Sequence, residues 1–406
     1  MADADLAAGL RHGLVDGIAR WYPFDASEVE EAMRSVPRHL FLPGVPLETA
    51  YGRGAVVTHR DAAGVATSSA SAPAVVAVML EQARVRPGHR VLEIGAGTGY
   101  NAALLARLVG SSGQVTTVEI DPGVAAEARR NLDGAGYGQV RVVCGDGAEG
   151  DSAGAPFDRI IVTAGVWDIP PAWSQQMAPG GRLVVPLRMR GLTRVVALEH
   201  RDGSWHSVSV ENDGFMPLRG VGHQPEDNLR LDDKGALILR VDDGQSVDTA
   251  GLRQALHGDP VVVWSGVRAT AKEGGDGFAS LDYWLAGLGS LCRLLVRSRE
   301  HSIVVPALNY GSMALVEGDT LAYLVKRPEE PADEYELGVC AYGSLAHALA
   351  GRVAGVIRAW GPQRQTPVQI AVYPAEASTP YSTEDILLRA TKRYVQVVVR
   401  TLQEKS

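Results

Sequence analysis

The stretch Leu92 to Tyr100, LEIGAGTGY, sets Gly95, Gly97 and Gly99 directly behind a short hydrophobic run, and VEID carries an acid, Glu119, twenty positions beyond the last of them. Glycines at alternate positions make a turn in which missing side chains let the backbone lie against a ligand and let a strand and helix approach closely. Glu119, closing the next strand, is placed to accept two hydrogen bonds from ribose hydroxyls. A third signal follows in Gly145-Asp146-Gly147, which sets an acid where an adenine amino group is held. A dinucleotide fingerprint GxGxxG would require glycine where this chain has Tyr100; the spacing here is GxGxG, the pattern of S-adenosylmethionine sites. The expected cofactor residues are Glu93, Gly95, Ala96, Gly97, Thr98, Gly99, Glu119, Ile120, Asp146, Gly147 and Thr163. S-Adenosylmethionine is the expected cofactor, S-adenosylhomocysteine its product, and no metal is expected.

These residues need strands and helices to hold them, and the first half of the chain alternates the two patterns. SAPAVVAVMLEQARV reads as a helix ending at Pro87 and Gly88, RVLEIG as a buried strand, YNAALLARLVG as a helix stopped by Gly110, and QVTTVEID as a second strand. PGVAAEARRNLDGAG starts a helix with Pro122, and VRVVCGD, DRIIVTAG and GRLVVPL follow as third, fourth and fifth strands. Strands alternating with helices predict a mainly parallel, doubly wound sheet, because a parallel pair needs a crossover connection. Such sheets bind ligands at the carboxyl ends of their strands.

At 406 residues the chain predicts two domains. A hydrophobic content of 46% with 21% charged residues is that of a soluble globular protein, and no run of eighteen apolar residues predicts a membrane span. The N-terminus lacks the basic-then-apolar pattern of a secretion signal, so a cytoplasmic location is expected. The net charge of −8 argues against a nucleic-acid surface. Cys144, Cys292 and Cys340 are widely spaced with no CxxC pair, and are expected as buried small hydrophobes.

Residues from about 25 to 222 resemble protein L-isoaspartyl O-methyltransferases (PIMT). The resemblance rests on VPRHLFLPG, ETAYGRGA, SSASAPAVVAVMLEQ, the glycine loop, VEID, GDG, FDRIIVTAGVWDIPPAW, APGGRLVVPL and GFMPLRG, in that order. It implies a class I methyltransferase fold: α/β, with a doubly wound Rossmann-like sheet and here an additional C-terminal α+β domain. The expected division is 1–223 for the methyltransferase domain and 224–406 for the accessory one. Carried over by position, Ser71 of Ser71-Ala72-Pro73 contacts the acceptor carboxylate, while the loops near Val57 and Phe215, Met216 and Leu218 flank the peptide; Ser69 and His59 are further substrate-side candidates, for which loop polarity is an equal explanation. A carboxylate is ionised at neutral pH and needs no general base, so Ser71 is expected to orient it by a hydrogen bond. The alternative for Ser71 is a helix cap before Pro73.

The chain departs from the family pattern in two places. The segment GRGAVVTHRDAAGVATSSASAP before Ser-x-Pro is long, and about 180 residues follow the end of the resemblance. That plan resembles an actinobacterial branch that accompanies ribosomally made peptides, in FxLD-type lanthipeptide and graspetide systems. This resemblance implies methylation of an aspartate in a modified, macrocyclic precursor peptide, whose ester closes to an aspartimide that is retained or hydrolyses to isoaspartate. The alternatives are a general repair enzyme acting on isoaspartate in damaged proteins, and a non-catalytic peptide-binding partner. The expected partner is a peptide, with neither nucleic acid nor membrane.

His59, Arg60 and Asp61 lie in the long segment and read equally as a peptide contact or as solvated residues; His200 and His206 flank the RDGSW turn of a hairpin; Trp167 reads as packing, with a place bordering the cofactor or substrate as the alternative. The acidic run Glu329 to Glu336 reads as a solvated loop. Beyond Gln224, GALILRVDD and PVVVWSG read as strands around a helix at Asp248 to His257, and SMALVEGDTLAYLVKR as a hairpin. ASLDYWLAGLGSLCRLLV, AYGSLAHALAGRVAGVIRAWG and TEDILLRATKRYVQVVVRTLQ read as helices, and VQIAVYP as a strand. Peptide recognition, oligomerisation and bracing of the long segment are the expected roles of this part.

Overall fold

Strands apolar along nearly their whole length must be covered on both faces, and the alternating pattern of the first half delivers that cover with helices. The computed structural model describes residues 2–224, 226–242, 244–270, 278–297, 304–308, 311–329 and 334–402. The chain forms two units, Met1–Leu187 with Thr193–His223, and Arg188–Leu192 with Gln224–Ser406.

The first unit opens with helices Ala2–Ala19 (α1) and Ser27–Ser35 (α2), a 3-10 turn Arg38–Phe41 and the short helix Leu47–Ala50 (α3). An antiparallel hairpin follows, Val56–Arg60 (β1) and Ala66–Ala70 (β2), closed where the Asp61 carboxylate accepts from the backbone of Ala63 and Val65. Then come helix Pro73–Ala83 (α4), strand Arg90–Ile94 (β3), helix Tyr100–Val109 (α5), strand Gln114–Glu119 (β4) and helix Pro122–Gly134 (α6). Strands Arg141–Cys144 (β5) and Phe157–Val162 (β6), helix Pro171–Gln175 (α7), and strands Met177–Met189 (β7), Leu192–Arg201 (β8) and Ser204–Glu211 (β9) complete it.

The strand order is β9-β8-β7-β6-β3-β4-β5, with β3 parallel to β4 and β6, β4 to β5, and β6 to β7, while β8 and β9 are antiparallel. The chain leaves β3 for β4 on one side and reaches β6 on the other, so the order reverses at the end of β3, where doubly wound sheets bind ligands. The helical periodicity of α5 buries Leu104 and Leu105 completely in a core shared with Val91, Ile161 and Val184. Each such leucine contributes about 2 kcal/mol relative to exposure. Helix α6 starts as its sequence dictates: Asp121 accepts from the backbone of Gly123 and Val124, with Pro122 at the first helical position. Cys144, expected as buried, is exposed at the end of β5, because that strand lies at the edge of the order given.

The second unit is β-rich. Its larger sheet joins Asp227–Arg230 (β10), Leu237–Val241 (β11), Val261–Thr270 (β12), Leu291–Val296 (β13), Ser312–Glu317 (β14), Thr320–Pro328 (β15) and Glu334–Tyr342 (β16), all antiparallel, in the order β10-β11-β13-β14-β15-β16-β12. Helices Thr249–Ala255 (α8), Ala279–Ala286 (α9) and Ala346–Trp360 (α10) accompany it; α10 buries Leu349, Val353 and Ile357, one turn apart. Val368–Pro374 (β17), Ile386–Thr391 (β18) and Val395–Thr401 (β19) form an antiparallel ladder with β19 between the other two.

Three expectations are corrected here. The segment expected as one helix from Ala279 divides into α9 and β13, because Gly287 and Gly289, the latter at φ +114°, end the helix. The expected terminal helix is instead a 3-10 turn at Thr383–Asp385 and the β18/β19 hairpin, since Val395, Val397, Val398 and Val399 are stiff at χ1 and pack better on a pleated ladder. The acidic run is not a solvated loop throughout: Glu334 and Glu336 belong to β16, and Glu336, 7% exposed, pairs with Arg327 at 2.5 Å; residues 330–333 lie outside the described residues. No helix among the described residues is long and apolar enough to cross a membrane.

Candidate active site at the glycine loop

The loop from Gly95 to Gly99 leaves β3 at the switch point and enters α5. Gly95 has φ +98°, and a Cβ there would stand 2.5 Å from the Thr163 hydroxyl, which donates to the carbonyls of Ile94 (2.9 Å) and Gly95 (2.8 Å). Glycine is therefore required where the ends of β3 and β6 meet. Gly97, at φ +50°, faces the hairpin: its Cβ would lie 3.4 Å from the Ser69 carbonyl.

A cavity of about 260 Å³ lies between them. Its floor is Glu93, Gly95, Ala96, Gly97 and Thr98; Glu119 and Ile120 from the end of β4, Gly147 and Thr163 flank it; Ser69 and Ser71 face it from the hairpin; Phe215, Met216 and Leu218 form a further wall. That wall is held in register by hydrogen bonds from Gly165 N–H to the Met216 carbonyl (2.7 Å) and from Leu218 N–H to the Gly165 carbonyl (2.8 Å).

Two buried carboxylates shape the electrostatics. Glu119, 7% exposed, accepts from the backbone of Gly97 (3.1 Å) and Asp121 (3.2 Å) and from the Arg219 guanidinium (3.4 Å). Glu93, fully buried, accepts from the Thr117 hydroxyl (2.6 Å) and the Asn101 amide (2.7 Å). Burial pushes the Glu93 carboxyl up to about 7, against the pull of those two hydrogen bonds, with the nearby Glu119 charge adding to the rise.

Ser71 connects β2 to α4, and its alternative role as a cap is not realised: Ala72 is the N-cap of α4 and no side chain caps it. Among the described residues the Ser71 hydroxyl has no hydrogen-bond partner, so it is free for a ligand. Four expected residues do not line the cavity. Gly99 caps the start of α5; Asp146 accepts from the backbone of Ala148 (2.9 Å) and Val221 (2.7 Å), while its neighbour Gly147 reaches the lining. Val57 and His59 lie on β1, the other strand of the hairpin; Val57 is exposed, and His59 stands 3.4 Å from Glu127 of α6.

Sequence reasoning missed Arg38, Tyr100, Asn101, Asp213 and Arg219, which also line the cavity. An arginine inside the apolar segment VPRHLFLP was the available signal for Arg38, since a cation among buried residues needs a purpose.

Residues 14–222 match the family profile described as Protein-L-isoaspartate(D-aspartate) O-methyltransferase. A protein-L-isoaspartate O-methyltransferase of Methanopyrus kandleri is 39% identical over 219 residues, 52% of this chain and 91% of its own. That of Methanoregula boonei is 43% identical over 190 residues, 47% of this chain and 83% of its own. A solved structure named protein-L-isoaspartate O-methyltransferase is similar in fold, with a TM-score of 0.50 at 20% identity over 89% of this chain and 96% of its own. The first unit thus has the class I methyltransferase fold, and the chain belongs to the protein-L-isoaspartate(D-aspartate) O-methyltransferase family of S-adenosylmethionine-dependent carboxyl O-methyltransferases.

Proposed function

We propose that the protein methylates the free carboxylate of isoaspartyl residues in peptides or proteins. The observation that carries this reading is the uncapped Ser71 hydroxyl, which lines the same cavity as the glycine loop and Glu119. The residues present fit S-adenosylmethionine: Gly97, at φ +50°, turns the loop in the left-handed region that favours glycine, and Glu119 is a buried carboxylate at the end of β4, placed for the ribose. Ala96, Thr98, Ile120 and Gly147 would enclose the adenosine; Glu93 and Thr163 would border the amino-acid end. Asp146 would act through the Ala148 and Val221 backbone rather than by direct contact.

When bound, S-adenosylmethionine supplies a methyl group on a sulfonium and leaves as S-adenosylhomocysteine. The acceptor carboxylate, with a reference pKa of about 4, is already ionised. Because its oxygen would itself be the nucleophile, no proton would be moved and the site needs no base. Ser71 donates a hydrogen bond to the acceptor and sets its angle; Phe215, Met216 and Leu218 exclude water from the carboxylate, which otherwise shields its nucleophilic oxygen. Ser69 would contact the peptide flanking the acceptor, with Val57 and His59 further along the hairpin.

A second reading, methylation of an ordinary aspartate in a modified, macrocyclic precursor peptide followed by aspartimide closure, is favoured by the second unit, which falls outside residues 14–222. The fold likeness over 89% of the chain weakens that argument, because a chain so named elsewhere carries a similar fold beyond the catalytic unit. Mass spectrometry with S-adenosylmethionine decides between them. A gain of one methyl on short isoaspartyl peptides of unrelated sequence supports the first reading; methylation confined to a modified precursor peptide, followed by loss of methanol, supports the second. Modification of neither refutes both.

A further inference from the structure

Arg38 is 1% exposed and lines the cavity. Its Nε donates to the Ala50 carbonyl (2.9 Å), and its Nη2 donates to the Ser71 carbonyl (2.9 Å) and, more weakly, to that of Ala70 (3.5 Å). Its guanidinium lies 5.0 Å from the centre of the Tyr100 ring, at the first residue of α5 behind the glycine loop. One side chain thus ties the acceptor-side serine to α3 and to the helix that carries the cofactor-side loop.

The charge is as informative as the bonds. An arginine stays protonated when buried, and a buried cation without a counter-ion is costly. Among the described residues no carboxylate pairs with Arg38, and its Nη1 is buried without a partner. The other arginine lining the cavity, Arg219, is already committed to Glu119 (3.4 Å) and Asp121 (3.8 Å). The guanidinium beside the serine therefore has no hydrogen-bonded counter-ion, and the acids that line the same cavity, Glu93, Glu119 and Asp213, are bonded to other groups.

We infer that Arg38 is the positioning residue for the acceptor carboxylate: it holds the Ser71 segment by that segment's own carbonyls, and its charge is balanced when the carboxylate enters. The inference rests on the isoaspartyl reading above. Acting through the low-dielectric wall rather than by contact, the charge favours a carboxylate over a neutral group of the same shape.

The test is calorimetric binding, in the presence of S-adenosylhomocysteine, of a short isoaspartyl peptide and of its counterpart in which that carboxylate is a carboxamide. The wild-type protein is expected to prefer the carboxylate, and Arg38→Met to lose about tenfold or more of that preference with S-adenosylhomocysteine affinity unchanged. Arg38→Lys keeps the charge and is expected to retain most of the preference while kcat falls, because its single ammonium cannot hold both Ala50 and Ser71. Arg38→Gln replaces Arg38→Met if the latter fails to fold. Equal weakening of both peptides, an unchanged ratio in the neutral variant, or a wild-type protein that methylates the isoaspartyl peptide without preferring it to the amide overturns the inference alone. A wild-type protein that neither binds nor methylates the isoaspartyl peptide overturns the functional reading, and the inference with it.

Discussion

Glu119 accepts a hydrogen bond from the backbone N–H of Gly97 at 3.1 Å, which ties the end of β4 to the turn of the glycine loop. The carboxylate ties the loop to the end of β4 and, with Gly97, Asp121 and Arg219 already donating to it, keeps about one acceptor site for a ligand. Glu119→Gln is expected to weaken S-adenosylhomocysteine binding by roughly tenfold or more, since a charged acceptor is replaced by a neutral one. Isothermal titration measures this; unchanged affinity would show that Glu119 serves only the loop.

Gly95→Ala tests why the loop needs glycine at its first position. The backbone is at φ +98° and the added methyl would meet the Thr163 hydroxyl at 2.5 Å, where two carbonyls already anchor that hydroxyl. Strain and collision together are expected to cost about 2–4 kcal/mol, read as a lowered urea midpoint.

Ser71→Ala is expected to reduce turnover on an isoaspartyl peptide by about tenfold while leaving S-adenosylhomocysteine affinity unchanged, the loss of one orienting hydrogen bond. The melting temperature should stay within about a degree, because Ser71 does not cap α4. A fall in melting temperature without a change in kcat would assign the serine to structure.

Glu93 links the site to pH. Its carboxyl lies at about 7 in the folded chain against 4.5 as the ordinary value, so between those pH values the folded state holds more protons than the unfolded one. Stability therefore falls as pH rises from 4.5 through 7 and is flat above, a total of about 3 kcal/mol from this group. Glu93→Gln should remove that part of the slope, making the ligand-free protein more stable at pH 8 than the wild type, with little gain at pH 4.5. Denaturant titrations at the two pH values measure it; a slope that survives the substitution assigns the pH dependence to other groups.

The glycine loop was legible because its requirements are local: a turn between a buried strand and a helix is written in contiguous residues, and Glu119 follows at the length of one crossover. The wall Phe215 to Leu218 and Ser71 were legible through family resemblance, and all reach the cavity. The Asp146 carboxylate is held by the Val221 backbone, 75 residues along the chain, a pairing that the GDG turn alone does not reveal. Val57 and His59 stand outside the cavity because, of the hairpin, Ala55 before β1 and the β2 strand with its continuation reach the lining, a division set by the β1/β2 pairing. In the second unit, helical periodicity was read into Ile386 to Thr401, where ladder pairing with β17 decides for strands.

The division follows the range of the forces. Amphipathic periodicity, caps and glycine turns act within a few residues and are stated by the order of side chains along the chain. The charge balance of the cavity, with Arg219 held by Glu119 while Arg38 is left without an acid, depends on which distant segments the sheet brings together, and only the folded chain settles it. Burial is equally non-local: the Glu93 carboxyl is raised because every neighbouring element excludes water from it, a property that no window of sequence contains.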